Sequence, residues 1–319
     1  MAERKRGLFG CSFPVLIIIT VVFLTITVLG FLSGAIGTEM IGEMEWLDWM
    51  RVDRPDPHLP APELFSLFGV IPVTNTVIAG WITVVFLVAL SYIITRRMKI
   101  VPGRLQAAFE FLLGWVFDLC KSVAGEENGR RFFPMIVTIF LFVVFNAWLS
   151  LIPGFGSIEI TIGGHHYELF RGANTDVNTP LAIALVSFIF VEYYGLRTLG
   201  VHYLRKFINA GQLFRSLGGI FKGKFNLMGL FSGAIDIFVG GLEALSELIR
   251  IISFTFRLFG NMTAGEILLL IAAFLVPWVL ALPFYGLEML VGFVQALIFS
   301  GLTLVFVTMA VTPHEAESH

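Results

Sequence analysis

The chain has 319 residues, 57% of them hydrophobic and only 14% charged, and its mean hydropathy is +0.87. That leaves too little polar surface to cover a water-soluble globule, so its solvent must be lipid. The formal net charge of -2 carries no nucleic-acid footprint, because a multispanning chain hides its charge asymmetry between loops on opposite sides of the membrane.

Uncharged apolar runs long enough to cross a hydrocarbon core of about 30 Å lie at 13–34, 74–95 and 132–153. A fourth, 177–196, contains one acid, Glu192. A long run with scattered charges, 227–282, and a last one, 284–311, complete the pattern. The reading is an all-α integral membrane protein with about six membrane helices. The first run has a basic start and the small residues Ser33, Gly34 and Ala35 after it, as a signal peptide would, but it exceeds a signal core in length and reads as a retained helix.

Three regions follow: an N-terminal membrane helix over 1–36, an acidic, proline-rich loop over 37–73 (Pro55, Pro57, Pro60, Pro62) with a short helix around 46–50, and a membrane domain over 74–319. Within that domain, 101–124 mixes Phe, Leu and Val with Arg104, Glu110, Asp118 and Lys121, which suits a helix at the membrane surface. With the N-terminus inside, sixteen lysines and arginines fall on inner segments, among them Arg4 to Arg6, Arg96, Arg97, Lys99, Arg130, Arg131, Arg205 and Lys222, against only Arg51, Arg54 and Arg171 outside. The excess of inner positive charge sets both termini in the cytoplasm. Cys11 and Cys120 lack the spacing of a disulfide framework or a zinc site, His165-His166 is an isolated pair, and no cofactor is implied.

The long run holds Asp236, Glu243, Glu247, Arg250, Arg257 and Asn261, at successive spacings of 7, 4, 3, 7 and 4. At about 100° per residue these steps keep all six within a sector of roughly 80° on one helix. No proline interrupts 229–272, and a helix of that length extends about 66 Å, roughly twice the hydrocarbon thickness. Such a helix either lies steeply tilted or breaks, and the unbroken phase of the stripe through Arg250 to Arg257 argues against a turn there.

An arginine in lipid costs at least about 2.5 kcal/mol on insertion scales. Arg250 has Glu247 at three residues and Glu243 at seven for internal pairing. Arg257 has no acid three or four residues away, so its counter-charge must come from another helix or another subunit. Further on stands Glu266, and on the last segment Glu288 and Gln295 lie seven apart, on one helical face. Intramembrane acids and amides of this kind form proton relays, or else buried polar groups satisfied in place.

The run Arg257-Leu258-Phe259-Gly260-Asn261-Met262-Thr263-Ala264-Gly265-Glu266 strongly resembles the signature of the a subunit of F-type ATP synthases, bacterial and plastid branch. The likeness extends through Val101-Pro102-Gly103, Asn146 to Pro153, Arg171 with Asp176, Asn178 and Leu181, and Gln295-Ala296. The resemblance implies an ion-translocating stator subunit, not an enzyme by itself, seated in the bacterial inner membrane. Its implied partners are a ring of c subunits, the b-subunit peripheral stalk and the rest of the F1Fo complex. It makes Arg257 the arginine facing the c ring. Glu266, Glu288, Gln295 and Asn261 would line a half-channel open to the outside, and Glu243 and Ser253 would belong to the cytoplasmic one. Asn146, Arg171 and Asp176 match supporting positions.

Glutamate stands at both 266 and 288, where some family members carry histidine at one or the other. Glu247 and Arg250 replace a mostly neutral stretch, and the first helix is an addition to the family's five-segment bacterial pattern. The rival reading is an ion-coupled secondary transporter or channel. Transporters usually show internal repeats and Gly/Pro-broken helices in matching positions, and this sequence displays neither.

Overall fold

The computed structural model describes residues 13–42, 45–52, 54–55, 61–67, 71–96, 98–152, 154–155, 158–162, 165–168, 170–200, 203, 227–278 and 280–312. Several residues used for orientation, Arg4 to Arg6, Arg97, Arg205, Lys206, Arg215, Lys222 and Lys224, lie outside the described residues, as does Cys11. Helices dominate: α1 (Phe13–Ser33), α2 (Ala35–Ile41), α3 (Asn75–Arg96), α4 (Arg104–Ser150), α5 (Asn178–Leu199), α6 (Leu227–Leu275) and α7 (Ala281–Val311). Six of these are long and apolar enough to cross a membrane, all but the short α2. Two small antiparallel hairpins, β1 (Glu63–Leu67) with β2 (Ile71–Thr74) and β3 (Glu159–Ile162) with β4 (His165–Glu168), and 3-10 turns at Glu45–Met50 and Ala173–Thr175 complete the described elements. The region 37–73, read as an acidic, proline-rich loop with a short helix around 46–50, holds a 3-10 turn at Glu45–Met50 and also β1 and most of β2, which alternation did not announce.

Helices are the outcome because lipid offers no partner to a backbone N–H or C=O, and a helix satisfies them internally. Side chains follow the same rule in α1, where the hydroxyls of Thr20, Thr25 and Thr27 donate to the carbonyls of Leu16, Val21 and Phe23. These otherwise apolar turns therefore expose no unmet donor.

Packing divides the chain into two compact units. The first joins 1–60 to 262–291. In it α1 closes on the turn between α6 and α7: a Cβ on Gly30 would strike the Pro277 carbonyl oxygen, and one on Gly34 the Leu275 carbonyl oxygen. Two glycines four apart let backbone meet backbone, the small-residue contact that membrane helices use where hydrophobic burial gives no drive.

The second unit joins 61–261 to 292–319. Its core is built on α4, where Phe132, Ile136, Phe140 and Val143 are fully buried. Gly125, at φ 80° and ψ 171°, breaks α4 into two arms, and the first arm folds back so that Phe117 packs edge-on against Phe133. The expected amphipathic helix over 101–124 is present, yet Val116 and Cys120 on its apolar face sit in the protein core. Trp115 likewise packs on Phe140 and Phe293. The polar residues were legible; the destination of the apolar face was not.

Around α4, α5 contributes Phe190 and Tyr194 against Phe132, and α6 and α7 meet through Phe254 and Phe299, 4.7 Å between ring centres. Ser187 of α5 and Thr303 of α7 share a buried hydrogen bond of 2.7 Å. At Gly292 α7 comes so near α4 that an added Cβ would lie 2.7 Å from Ala147 Cβ, whereas nothing crowds Gly301. Gly292→Val is therefore expected to lower the melting temperature of the purified protein in detergent by several degrees, with Gly301→Val close to wild type; equal melting of the two variants would refute this packing.

Candidate functional site

Helix α6 carries the stripe without a break, 49 residues from Leu227 to Leu275. That is about 73 Å of helix. Along it Asp236, Glu243, Arg250 and Arg257 are half-buried, Glu247 is buried, and Ser253 is exposed. The two arginines differ in what meets them. Arg250 Nη1 lies 2.6 Å from Glu247 Oε2, and its guanidinium covers the Phe306 ring of α7 at 3.7 Å. Arg257 approaches only an aromatic face, that of Phe254 at 5.9 Å, and has no ion-pair partner among the described residues. The sequence difference between the two arginines is reproduced in space.

One turn beyond Arg257, Asn261 Nδ2 donates to Gln295 Oε1 at 2.9 Å, linking α6 to α7. Gln295 is buried, and its Nε2 has no protein acceptor among the described residues. In the first unit, Glu288 is buried at 7% exposure and its carboxyl group lies where a side chain at Gly265 would have to go. Glycine at 265 is what admits that carboxyl between α6 and α7. Thr263 Oγ1 is buried nearby in the chain without a hydrogen-bond partner among the described residues, and Glu266 is half-buried and engaged.

Asp176 and Asn146 meet the N-terminal half of α3 through residues that the sequence reading did not single out. Thr76 donates to Asp176 Oδ2 at 3.3 Å and shares a 2.7 Å bond with Thr74, while Asn146 Nδ2 donates to Thr83 at 3.2 Å. Arg171 is buried at 8% exposure and Asn174 completely; both amide atoms of Asn174, and Asn146 Oδ1, have no protein partner among the described residues. Buried amides left open by protein are normally met by ordered water. The available signal was a set of uncharged Thr and Asn residues at the margins of apolar runs, which a search for charges passes over.

A further group joins α5, the turn after it and α6. Tyr203 Oη donates to Glu192 Oε1 at 3.1 Å, and its ring fills the space above Gly195, where a Cβ would lie 2.6 Å away. Burial first, then the Glu192 carboxylate, raises the phenol's pKa, with Glu247 and Arg250 also acting on it.

These features define an integral membrane protein whose ionisable and amide side chains line helices, with no cluster of three or more His, Cys, Asp or Glu side chains fit to hold a metal among the described residues. The family model described as ATP synthase A chain matches residues 77–308, so the chain belongs to the ATP synthase A chain family. Among similar proteins, ATP synthase subunit a of Moorella thermoacetica is 27% identical over 258 residues, 81% of this chain and 99% of that protein. Subunit a of Nitratiruptor sp. is 30% identical over 258 residues, 79% and 97% respectively. That of Gloeobacter violaceus is 32% identical over 241 residues, 76% and 85%. The family match begins after α1, α2 and the first hairpin.

The Asn261–Gln295 bond gives a direct test of this geometry. Asn261→Ala, Gln295→Ala and the double variant should yield a coupling of about 0.6 kcal/mol in a thermodynamic cycle for unfolding in bilayer-like detergent. Additive effects would mean that the two amides do not meet.

Proposed function

We propose that this chain is the ion-translocating stator subunit of an F-type ATP synthase, working against a ring of c subunits in the bacterial inner membrane, with the b-subunit stalk holding it still. Its two offset half-channels do not cross the membrane singly, so an ion entering from outside must ride the ring on a c-subunit carboxylate before it can leave inward. The ion in this reading is the proton. Residues 74–319 form the working domain, 1–36 an added membrane helix and 37–73 an outer connection, with both termini in the cytoplasm.

The observation that carries this reading is Arg257: a guanidinium on a 49-residue apolar helix with no ion-pair partner among the described residues, inside the run shared with the family. A cation so placed favours the ionised form of a passing carboxylate in low dielectric, while ring carboxylates facing lipid must stay neutral. The arginine thereby keeps the half-channels apart. Torque follows from the membrane potential, worth about 2.3 kcal/mol per charge per 100 mV.

Around it we assign Asn261, Gln295, Glu266 and Glu288 to the outer pathway and Glu243 and Ser253 to the inner one. Asn146, Arg171 and Asp176 support the outer side, and the open amides of Asn146, Asn174 and Gln295 favour water there. Asp236, Glu247 and Arg250 belong to the supporting face of α6.

Arg257→Ala should abolish proton-driven ATP synthesis in vesicles while the complex still assembles, with passive proton leak through the membrane sector. Arg257→Lys should restore little, because lysine loses the planar fork and can surrender its proton in a dry site. Arg250→Ala should be milder. Full coupling in Arg257→Ala would defeat the reading. Separately, Glu266→Gln combined with Glu288→Gln should lower proton-driven synthesis by about two orders of magnitude, the scale of a lost proton-transfer group; unchanged synthesis would remove these acids from the relay.

A further inference from the structure

Two turns before Arg257, α6 carries a second guanidinium, about 10 Å away along the helix axis. Left uncompensated in low dielectric, it would compete for any carboxylate drawn to the first. Arg250 does not stand uncompensated: Glu247, buried at 4% exposure, lies 2.6 Å from it, and Phe306 covers the guanidinium face. Among the described residues, the other charged or titratable groups around the pair are Tyr203 from the turn after α5, Glu192 from α5, and Glu243 one helical turn earlier on α6. Tyr203 donates to Glu192, and of these carboxylates Glu247 is the one at ion-pair distance from Arg250 among the described residues.

We propose that Glu247 is a positioning residue that cancels the charge of Arg250, so that Arg257 alone attracts the carboxylate carried past it. This rests on the proposed role of Arg257. The pair is asymmetric in what its loss would do. Removing Arg250 leaves a buried carboxylate that can take up a proton and become neutral, whereas removing Glu247 leaves an arginine that cannot shed its charge. Glu247 therefore matters more to ion transfer than its partner does, although Arg250 carries the more conspicuous charge.

A unit charge about 10 Å away, in an effective dielectric of about 20, changes a carboxylate's proton affinity by roughly tenfold. The sign is fixed: added positive charge favours the ionised form, so a carrier carboxylate needs a lower pH to load. Loss of packing alone would reduce the amplitude of the rate and leave its pH midpoint in place.

The test uses the whole F1Fo complex in vesicles, with proton-driven ATP synthesis followed against the pH of the proton-loading side. Glu247→Gln should move the loading midpoint about one unit to lower pH and cut the rate at the wild-type optimum about tenfold. Arg250→Gln should stay near the wild-type midpoint, and Glu247→Gln/Arg250→Gln should return to it. Glu247→Asp, which keeps the charge, should also keep the midpoint. Where Glu247→Gln does not accumulate, Glu247→Met supplies an apolar side chain of similar volume and the same expected shift. A wild-type midpoint in the neutral variant, or a double variant as shifted as Glu247→Gln, would overturn the proposal. Arg257→Ala measured alongside separates the two ideas: if it stays coupled the underlying reading fails, and if it uncouples while Glu247→Gln is unshifted only this inference fails.

Discussion

Everything in this protein answers to the cost of placing charge where water is scarce. An apolar helix that carries six polar groups along one side remains in a membrane most readily where protein meets those groups, and several members of the long stripe on α6 are met in this way. Glu247 meets Arg250, Asn261 meets Gln295, and Phe254 and Phe306 supply aromatic faces to the two guanidiniums. Arg257 has no ion-pair partner among the described residues. Arg250 has a carboxylate at 2.6 Å, whereas Arg257 has a ring face, which is the contrast the proposed function builds on.

The packing around the stripe explains how its side chains are positioned. In hydrocarbon, apolar side chains gain little by meeting one another, so helices associate through close fit and a few polar links. Phe132, Phe140, Phe254 and Phe299 give α4, α6 and α7 a filled centre. Gly292 lets α7 approach α4, and Gly265 leaves room for the Glu288 carboxyl group. Polar side chains then sit at heights fixed by that fit rather than by their own attraction. Helical packing sets the positions, and chemistry uses them.

Much of this was legible in the sequence because the bilayer imposes simple periodicities. The length of apolar runs revealed all six membrane-length helices, and the spacings 7, 4, 3, 7 and 4 placed the stripe on one side of an unbroken α6. The contrast between Arg250 and Arg257 followed from counting acids within one turn. What remained hidden depends on tertiary approach. Nothing in the pattern of 101–124 says that Val116 and Cys120 enter the core, because an amphipathic face meets lipid and protein equally well. Asn174 and Thr76 escaped notice because they bear no charge, and Tyr203 because its partner Glu192 lies eleven residues back. The assignments of individual side chains to ion pathways came from the family motif, not from geometry.

The contact of Gly30 and Gly34 with the carbonyls of Pro277 and Leu275 joins the beginning of the chain to a turn some 240 residues later. At a synthesis rate of about 5–20 residues per second, roughly 12–50 seconds separate the emergence of these two surfaces from the ribosome. Throughout that interval the glycine face of α1 has only lipid, or the insertion machinery, to lean on. Docking of α1 therefore waits for the arrival of the α6–α7 turn, and a nascent chain stalled before residue 275 would hold an α1 helix inserted but undocked.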